Sequence, residues 1–123
     1  QFGAQIPEYS QEFQLIHKVA WNQLNSLNPY FDILKSQDDL LEMELKNDSF
    51  DIIFYDAFSP NSQPELWTEA VFNKLYLSLR PSGILTTYCA KGAVKRALKS
   101  VGFIVESLPG PPGKREMIRA KKI

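Results

Sequence analysis

Cysteine and histidine are nearly absent from this chain: Cys89 and His17 are the only examples in 123 residues. A lone thiol forms no internal disulfide, so a reducing, cytoplasmic compartment is expected, and no metal site is expected. An excess of charge of either sign is also missing. Fourteen Lys and Arg balance fourteen Asp and Glu, so any hold on nucleic acid or membrane has to come from local patches. No apolar run approaches the ~20 residues needed to cross a bilayer. The six glycines, at 3, 83, 92, 102, 110 and 113, nowhere form the Gly-x-Gly turn that cradles a nucleotide-like ligand after a first strand. With Gln1 in place of a methionine and no signal-like apolar segment, the chain reads as part of something longer.

What is present is ordinary globular composition, 44% hydrophobic and 23% charged, enough for one modest core. Phe13, Ile16, Ala20, Trp21, Leu24 and Leu27 recur at helical spacing between Ser10 and the Asn28-Pro29 stop, which predicts a helix. His17 and Trp21 lie one turn apart on it and are read as packing residues. Tyr30 to Lys35 reads as a short strand leading to the acidic pair Asp38-Asp39. The nearly continuous apolar run Phe50 to Tyr55 reads as a central parallel strand covered on both faces. Ser62-x-x-Glu65 has capping-box spacing ahead of Leu66, Trp67, Ala70, Val71, Leu75 and Leu79, closed by Arg80-Pro81-Ser82-Gly83. A strand over 84–89, a basic helix over 91–100, and an antiparallel pair from 103–108 and 115–121 across Gly110-Pro111-Pro112-Gly113 complete an α/β order. The helices over 64–79 and 91–100 are expected on the faces of the sheet. There is no internal repeat and no low-complexity tract.

The most informative stretch is "YDAFSPNSQPELW", residues 55 to 67, where an apolar strand ends abruptly on a carboxylate, an aromatic and prolines. In open α/β sheets ligands bind at the carboxyl ends of strands, so Asp56 is a candidate for contact with a reacting group. "FDIIFYDAFSPNSQPELW", "LRPSGILTTYCAKGAVKRALKSVGF" and "PGPPGKREMIRA" resemble the methyltransferase module of the MnmC family, the tRNA 5-methylaminomethyl-2-thiouridine synthesis enzymes. The likeness runs from about Phe50 to Ala120 and, more weakly, upstream through "FQLIHKVAWN" and "SQDDLLEM". Its specificity lies in combining Asp-x-Phe-x-Pro, Pro-x-x-Trp and a terminal Lys-Arg-Glu.

This resemblance implies a Rossmann-like α/β methyltransferase fold, here its carboxyl-terminal portion across 1–123, with a helical segment over 1–29 and the later strands and helices over 30–123. It also implies S-adenosylmethionine as donor and a wobble-uridine aminomethyl group of tRNA as acceptor. Methyl transfer is an in-line displacement, so such an enzyme chiefly aligns its reactants and keeps the acceptor lone pair free. Asp56 takes the part of the loop aspartate that orients the amine, the alternative being a cap on the following turn. Phe58 either stacks on the base, sits near the sulfonium, or belongs to the core. Pro60 and Pro64 hold the loop in one shape. Asp39, or else Asp38, contacts the donor's adenine, the alternative being a solvated turn. Lys91, Lys95 and Arg96, with Lys99, either face RNA phosphates or form a solvated helix face. Lys114 and Arg115 reach RNA or pair internally. Cys89 is read as a small buried residue.

The missing glycine turn departs from the family pattern. It implies that the acceptor side is present while most of the donor side is not, that the chain alone is inactive and binds donor poorly, and that the 30–37 strand loses its usual neighbour. That strand is then mobile, re-paired elsewhere, or completed by another copy through unpaired edges. Two other functions compete. One is a polyamine synthase on the same fold, against which Ser59 occupies the place of a second acidic residue. The other is a non-catalytic binding fragment.

Overall fold

The computed structural model describes Gln14, Lys18, 20–110 and 116–123, and it divides into two compact units, 1–39 and 40–123. In the first unit, β1 (Leu24–Asn28) and β2 (Phe31–Leu34) form an antiparallel hairpin, with Leu24 opposite Leu34 and Ser26 opposite Asp32. This corrects the helix expected through Leu27. Gln14 and Lys18 are helical, but Asn22 takes a left-handed backbone (φ 61°), which ends any helical path, and Pro29 then blocks its resumption. The Asn28 side chain accepts from the Tyr30 amide at 2.8 Å, an Asx turn of the kind that reverses a chain. The strand expected at 30–35 is therefore present, re-paired locally to the residues just before it.

The second unit carries the sheet. Its elements are β3 (Phe50–Tyr55), α1 (Glu69–Ser78), β4 (Leu79–Thr87), α2 (Gly92–Ser100), β5 (Ile104–Pro109) and β6 (Glu116–Lys121). Strand order is β3-β4-β6-β5, with β3 parallel to β4 and the remaining pairs antiparallel. The parallel pair and the terminal antiparallel pair match expectation. The central position of β3 does not: among the described residues it is an edge strand, with Phe50, Ile52 and Phe54 exposed. Apolar continuity reports a strand's composition but not which neighbours pair with it.

Alternation along the strands buries Tyr55, Leu85, Thr87, Ile118 and Ala120. Val71, Phe72 and Leu75 of α1 and Val94 and Leu98 of α2 join the apolar members of that set in one core. Helix α1 begins later than the Ser62-x-x-Glu65 spacing implied. Residues Pro64–Leu66 form a 3-10 turn, and the cap is Thr68, whose side-chain oxygen accepts from the Val71 amide at 3.3 Å. The 80–83 segment, expected as a turn, enters β4 instead. After α2, Gly102 at φ +117° lies where a Cβ would come within 3.1 Å of the Tyr76 ring, so glycine is required both for the backbone and for the fit. Among the described residues no helix is long and apolar enough to cross a membrane.

Phe72 is 1% exposed and Phe54 79%, which separates core from edge. Phe72→Ala should cost about 3–5 kcal/mol, and Phe54→Ala should stay within about 0.5 kcal/mol, as read from denaturant unfolding.

Candidate active site at the carboxyl ends of β3 and β4

Residues 56–67 leave the end of β3 and return to the sheet through aromatic packing. Tyr55, Trp67, Phe72 and Tyr88 meet edge-on, with ring centroids 5.1 Å apart for Tyr55 and Trp67 and 6.1 Å for Trp67 and Tyr88. Three donors close the segment. The Tyr55 hydroxyl donates to the Leu66 carbonyl, the Trp67 Nε1–H to the Phe58 carbonyl at 2.7 Å, and the Tyr88 hydroxyl to the Ala57 carbonyl at 2.9 Å. The amides of Ser62 and Gln63 both donate to the Ser59 carbonyl at 2.9 Å.

A cavity of about 220 Å³ opens there, lined by Phe54, Tyr55, Asp56, Thr86, Thr87, Tyr88 and Met117. Asp56 is exposed at its rim. Among the described residues its carboxylate neither caps the following turn nor forms a salt bridge. Its charge reaches Tyr88, whose phenol is raised above the ordinary value first by burial, then by Cys89 and Asp56. Phe58 is 74% exposed, which removes the core alternative for its ring. Cys89 is buried, as expected.

The basic helix is less free than its sequence suggests. Lys95 donates to Glu116 at 2.8 Å, and Glu116 lies below its ordinary value chiefly because of that bond, aided by Ser107. The Lys91 Nζ donates to the Asn61 side chain at 3.1 Å, tying α2 to the site loop. Arg96 and Lys99 are exposed. Lys114 and Arg115 lie outside the described residues. Asp38 and Asp39 follow β2 within the first unit, both exposed. The two side chains that the sequence reading did not credit with a role here are Trp67 and Tyr88. The Pro-x-x-Trp spacing signalled the first, and nothing local signalled the second.

A model of the family described as S-adenosyl-L-methionine-dependent methyltransferase, Methyltransf_30, matches residues 5–123. The chain belongs to that family. Among solved structures, MNMC2 from Aquifex aeolicus is 27% identical with a TM-score of 0.72, covering 94% of this chain and 37% of its own. An S-adenosylmethionine dependent methyltransferase from Mesorhizobium loti shares the fold at 14% identity and TM-score 0.58, with 77% of this chain and 72% of that one covered. A possible exported protein from Bordetella parapertussis does so at 11% and 0.53, with 72% and 43% covered. The chain thus spans about two fifths of the length of the Aquifex and Bordetella proteins. These matches bear out the Rossmann-like methyltransferase fold and the resemblance to the MnmC methyltransferase module.

The family uses S-adenosylmethionine, a donor whose usual cradle in such folds is a glycine-rich turn after a first strand. Gly83 lies within β4, Gly92 opens α2, and Gly102 and Gly110 follow α2 and β5. None stands in a Gly-x-Gly turn.

The Tyr55 phenol is pushed up to about 12 by burial. An unfolded phenol titrates near 10, so between about 10 and 12 the unfolded state loses a proton that the folded state keeps, and stability falls as pH rises through that window. Tyr55→Phe lacks the hydroxyl bond, worth about 0.5–1.5 kcal/mol, but also lacks this titration. The stability gap between wild type and variant should narrow across that range in urea titrations.

Proposed function

We propose that this chain supplies the acceptor side of an N-methyltransferase acting on the aminomethyl group of wobble uridine in tRNA. The observation that carries this reading is Asp56: an exposed carboxylate at the end of β3, uncommitted to the turn that follows it and two residues before Phe58, whose ring is also exposed. The likeness to the Aquifex protein supports it. A primary amine is mostly ammonium near neutral pH, and its nitrogen becomes nucleophilic only after losing a proton. Asp56 attracts the ammonium, orients it by accepting its N–H bonds, and takes the proton. Phe58 offers a flat apolar face on which a pyrimidine ring stacks. Thr86, Thr87 and Tyr88 wall the cavity behind them.

Asp38 and Asp39 are the residues proposed to meet the donor's adenine, and a glycine turn outside the described residues is the proposed remainder of that site. Calorimetry with S-adenosylmethionine should accordingly show weak or no binding by residues 1–123. Tight binding would relocate the donor site. Arg96 is the leading phosphate contact on α2. Lys95 is neutralised by Glu116 and has less to offer than its sequence position implied. Arg96→Ala should lower the salt slope of RNA binding by about one phosphate contact, and Lys95→Ala by less, as read from binding titrations over a range of salt.

The decisive test is single-turnover methylation of aminomethyluridine-containing tRNA by the intact enzyme carrying this chain. Asp56→Asn keeps shape and a carbonyl acceptor but loses the charge and the base. It should slow turnover by about 10²–10⁴-fold with donor affinity unchanged. A rate close to wild type would remove Asp56 from the mechanism. A polyamine synthase is disfavoured by Ser59, whose hydroxyl faces Ser62 at 3.3 Å where a second carboxylate would be needed.

A further inference from the structure

We infer that Trp67 and Tyr88 are positioning residues that latch the 56–60 loop, holding the Asp56 carboxylate and the Phe58 ring outward toward the acceptor. The inference rests on the acceptor-side reading of Asp56 and Phe58 given above. Two consecutive carbonyls, Ala57 and Phe58, receive bonds from two different elements: a hydroxyl just past β4 and an indole just before α1. With both carbonyls turned inward, the backbone between them has little rotational freedom. The Phe58 ring is left 74% exposed although its own carbonyl is engaged. An exposed phenylalanine on a freely moving loop would fold back onto nearby apolar surface, and the latch prevents this at the cost of leaving apolar area in water.

The latch is built into the core. Trp67 is 7% exposed and packs edge-on against Tyr55, Phe72 and Tyr88, so the indole N–H is aimed by packing and has one direction to point. Tyr88, with its phenol held protonated by burial and by neighbouring negative charge, remains a donor through the physiological range. The Lys91 bond to Asn61 adds a third tie further along the same loop. Neither Trp67 nor Tyr88 has to touch the acceptor for this role, since each acts through the backbone that carries Asp56 and Phe58.

The test combines amide exchange with kinetics. Tyr88→Phe removes one oxygen and keeps the ring, while Trp67→Phe keeps an aromatic and removes the indole N–H. If the latch holds the loop, the amides of Ser62 and Gln63, which close the turn onto Ser59, exchange about 2- to 10-fold faster in Tyr88→Phe, the factor expected for one lost hydrogen bond. Leu85 and Ile118 in the core should exchange at wild-type rates. Because Trp67→Phe also loses volume, it is judged only on the ratio of loop to core exchange.

In the intact enzyme, Tyr88→Phe should lower the rate on aminomethyluridine-containing tRNA at every pH. The Asp56→Asn defect, by contrast, should shrink as pH rises and the amine neutralises itself. Unchanged Ser62 and Gln63 exchange in Tyr88→Phe, or equal acceleration of Leu85 and Ile118, would overturn the latch. Faster loop exchange together with a fully active Asp56→Asn enzyme would keep the latch and remove the acceptor-side reading instead.

Discussion

The burial of Trp67 is the constraint on which the site depends. Its indole lies edge-on to Tyr55 at the end of β3 and to Phe72 in the first turn of α1, so it joins strand and helix through the same ring that holds the connecting loop. Edge-to-face pairs of this kind contribute about 0.5–1.5 kcal/mol beyond their area. More important here is direction: a ring fixed on several sides presents its single polar atom along one line. The loop bearing Asp56 and Phe58 is thereby attached to the buried aromatic core of the unit, as a site requiring accurate placement demands.

Electrostatics in this chain is local pairing. The balanced composition leaves no net charge, and several of the described cations have assigned partners: Arg80 with Asp51, Lys95 with Glu116, Arg119 with Glu106, and Lys122 with Asp48. Lys74 sends its ammonium into three backbone carbonyls, those of Leu40, Leu41 and Met43, and so closes the turn ahead of β3. Helix α2 illustrates the consequence. Four cations share nine or ten residues of sequence, yet Lys91 is tied to Asn61 and Lys95 to Glu116, leaving Arg96 and Lys99 as the more accessible charges.

Along β3 the physics is different. Phe50 and Ile52, with Leu40, Leu45, Ile53, Tyr55, Leu75 and Ser78, line an apolar groove of about 320 Å³. Its two hydroxyls are already committed, Ser78 donating to the Leu75 carbonyl and Tyr55 to that of Leu66. The groove is larger than the cavity beside Asp56 but carries no carboxylate, and its one titratable group, the Tyr55 phenol, stays protonated at neutral pH. Size and chemistry therefore point to different places, and the proposed site lies at the carboxyl ends of β3 and β4, where charge, exposure and a held backbone coincide.

The sequence by itself determined the α/β class, strands near 50–55, 103–108 and 115–121, the basic helix, and the Asp56-x-Phe58-x-Pro60 loop. Each of these is written in local periodicity, turn residues or a contiguous motif. Only the tertiary structure decided that 24–28 is a strand, because Leu24 and Leu27 satisfy a helical spacing equally well and the choice turned on Asn22 and the Asn28-Pro29-Tyr30 turn. Only it showed that β3, among the described residues, pairs on one side alone, since pairing belongs to two strands and is encoded in neither alone. It likewise decided that Lys95 is neutralised across 21 residues by Glu116, and that Tyr88 reaches back 31 residues to the Ala57 carbonyl. Such contacts depend on which surfaces meet once the core has closed, and no periodic signal along the chain carries that information.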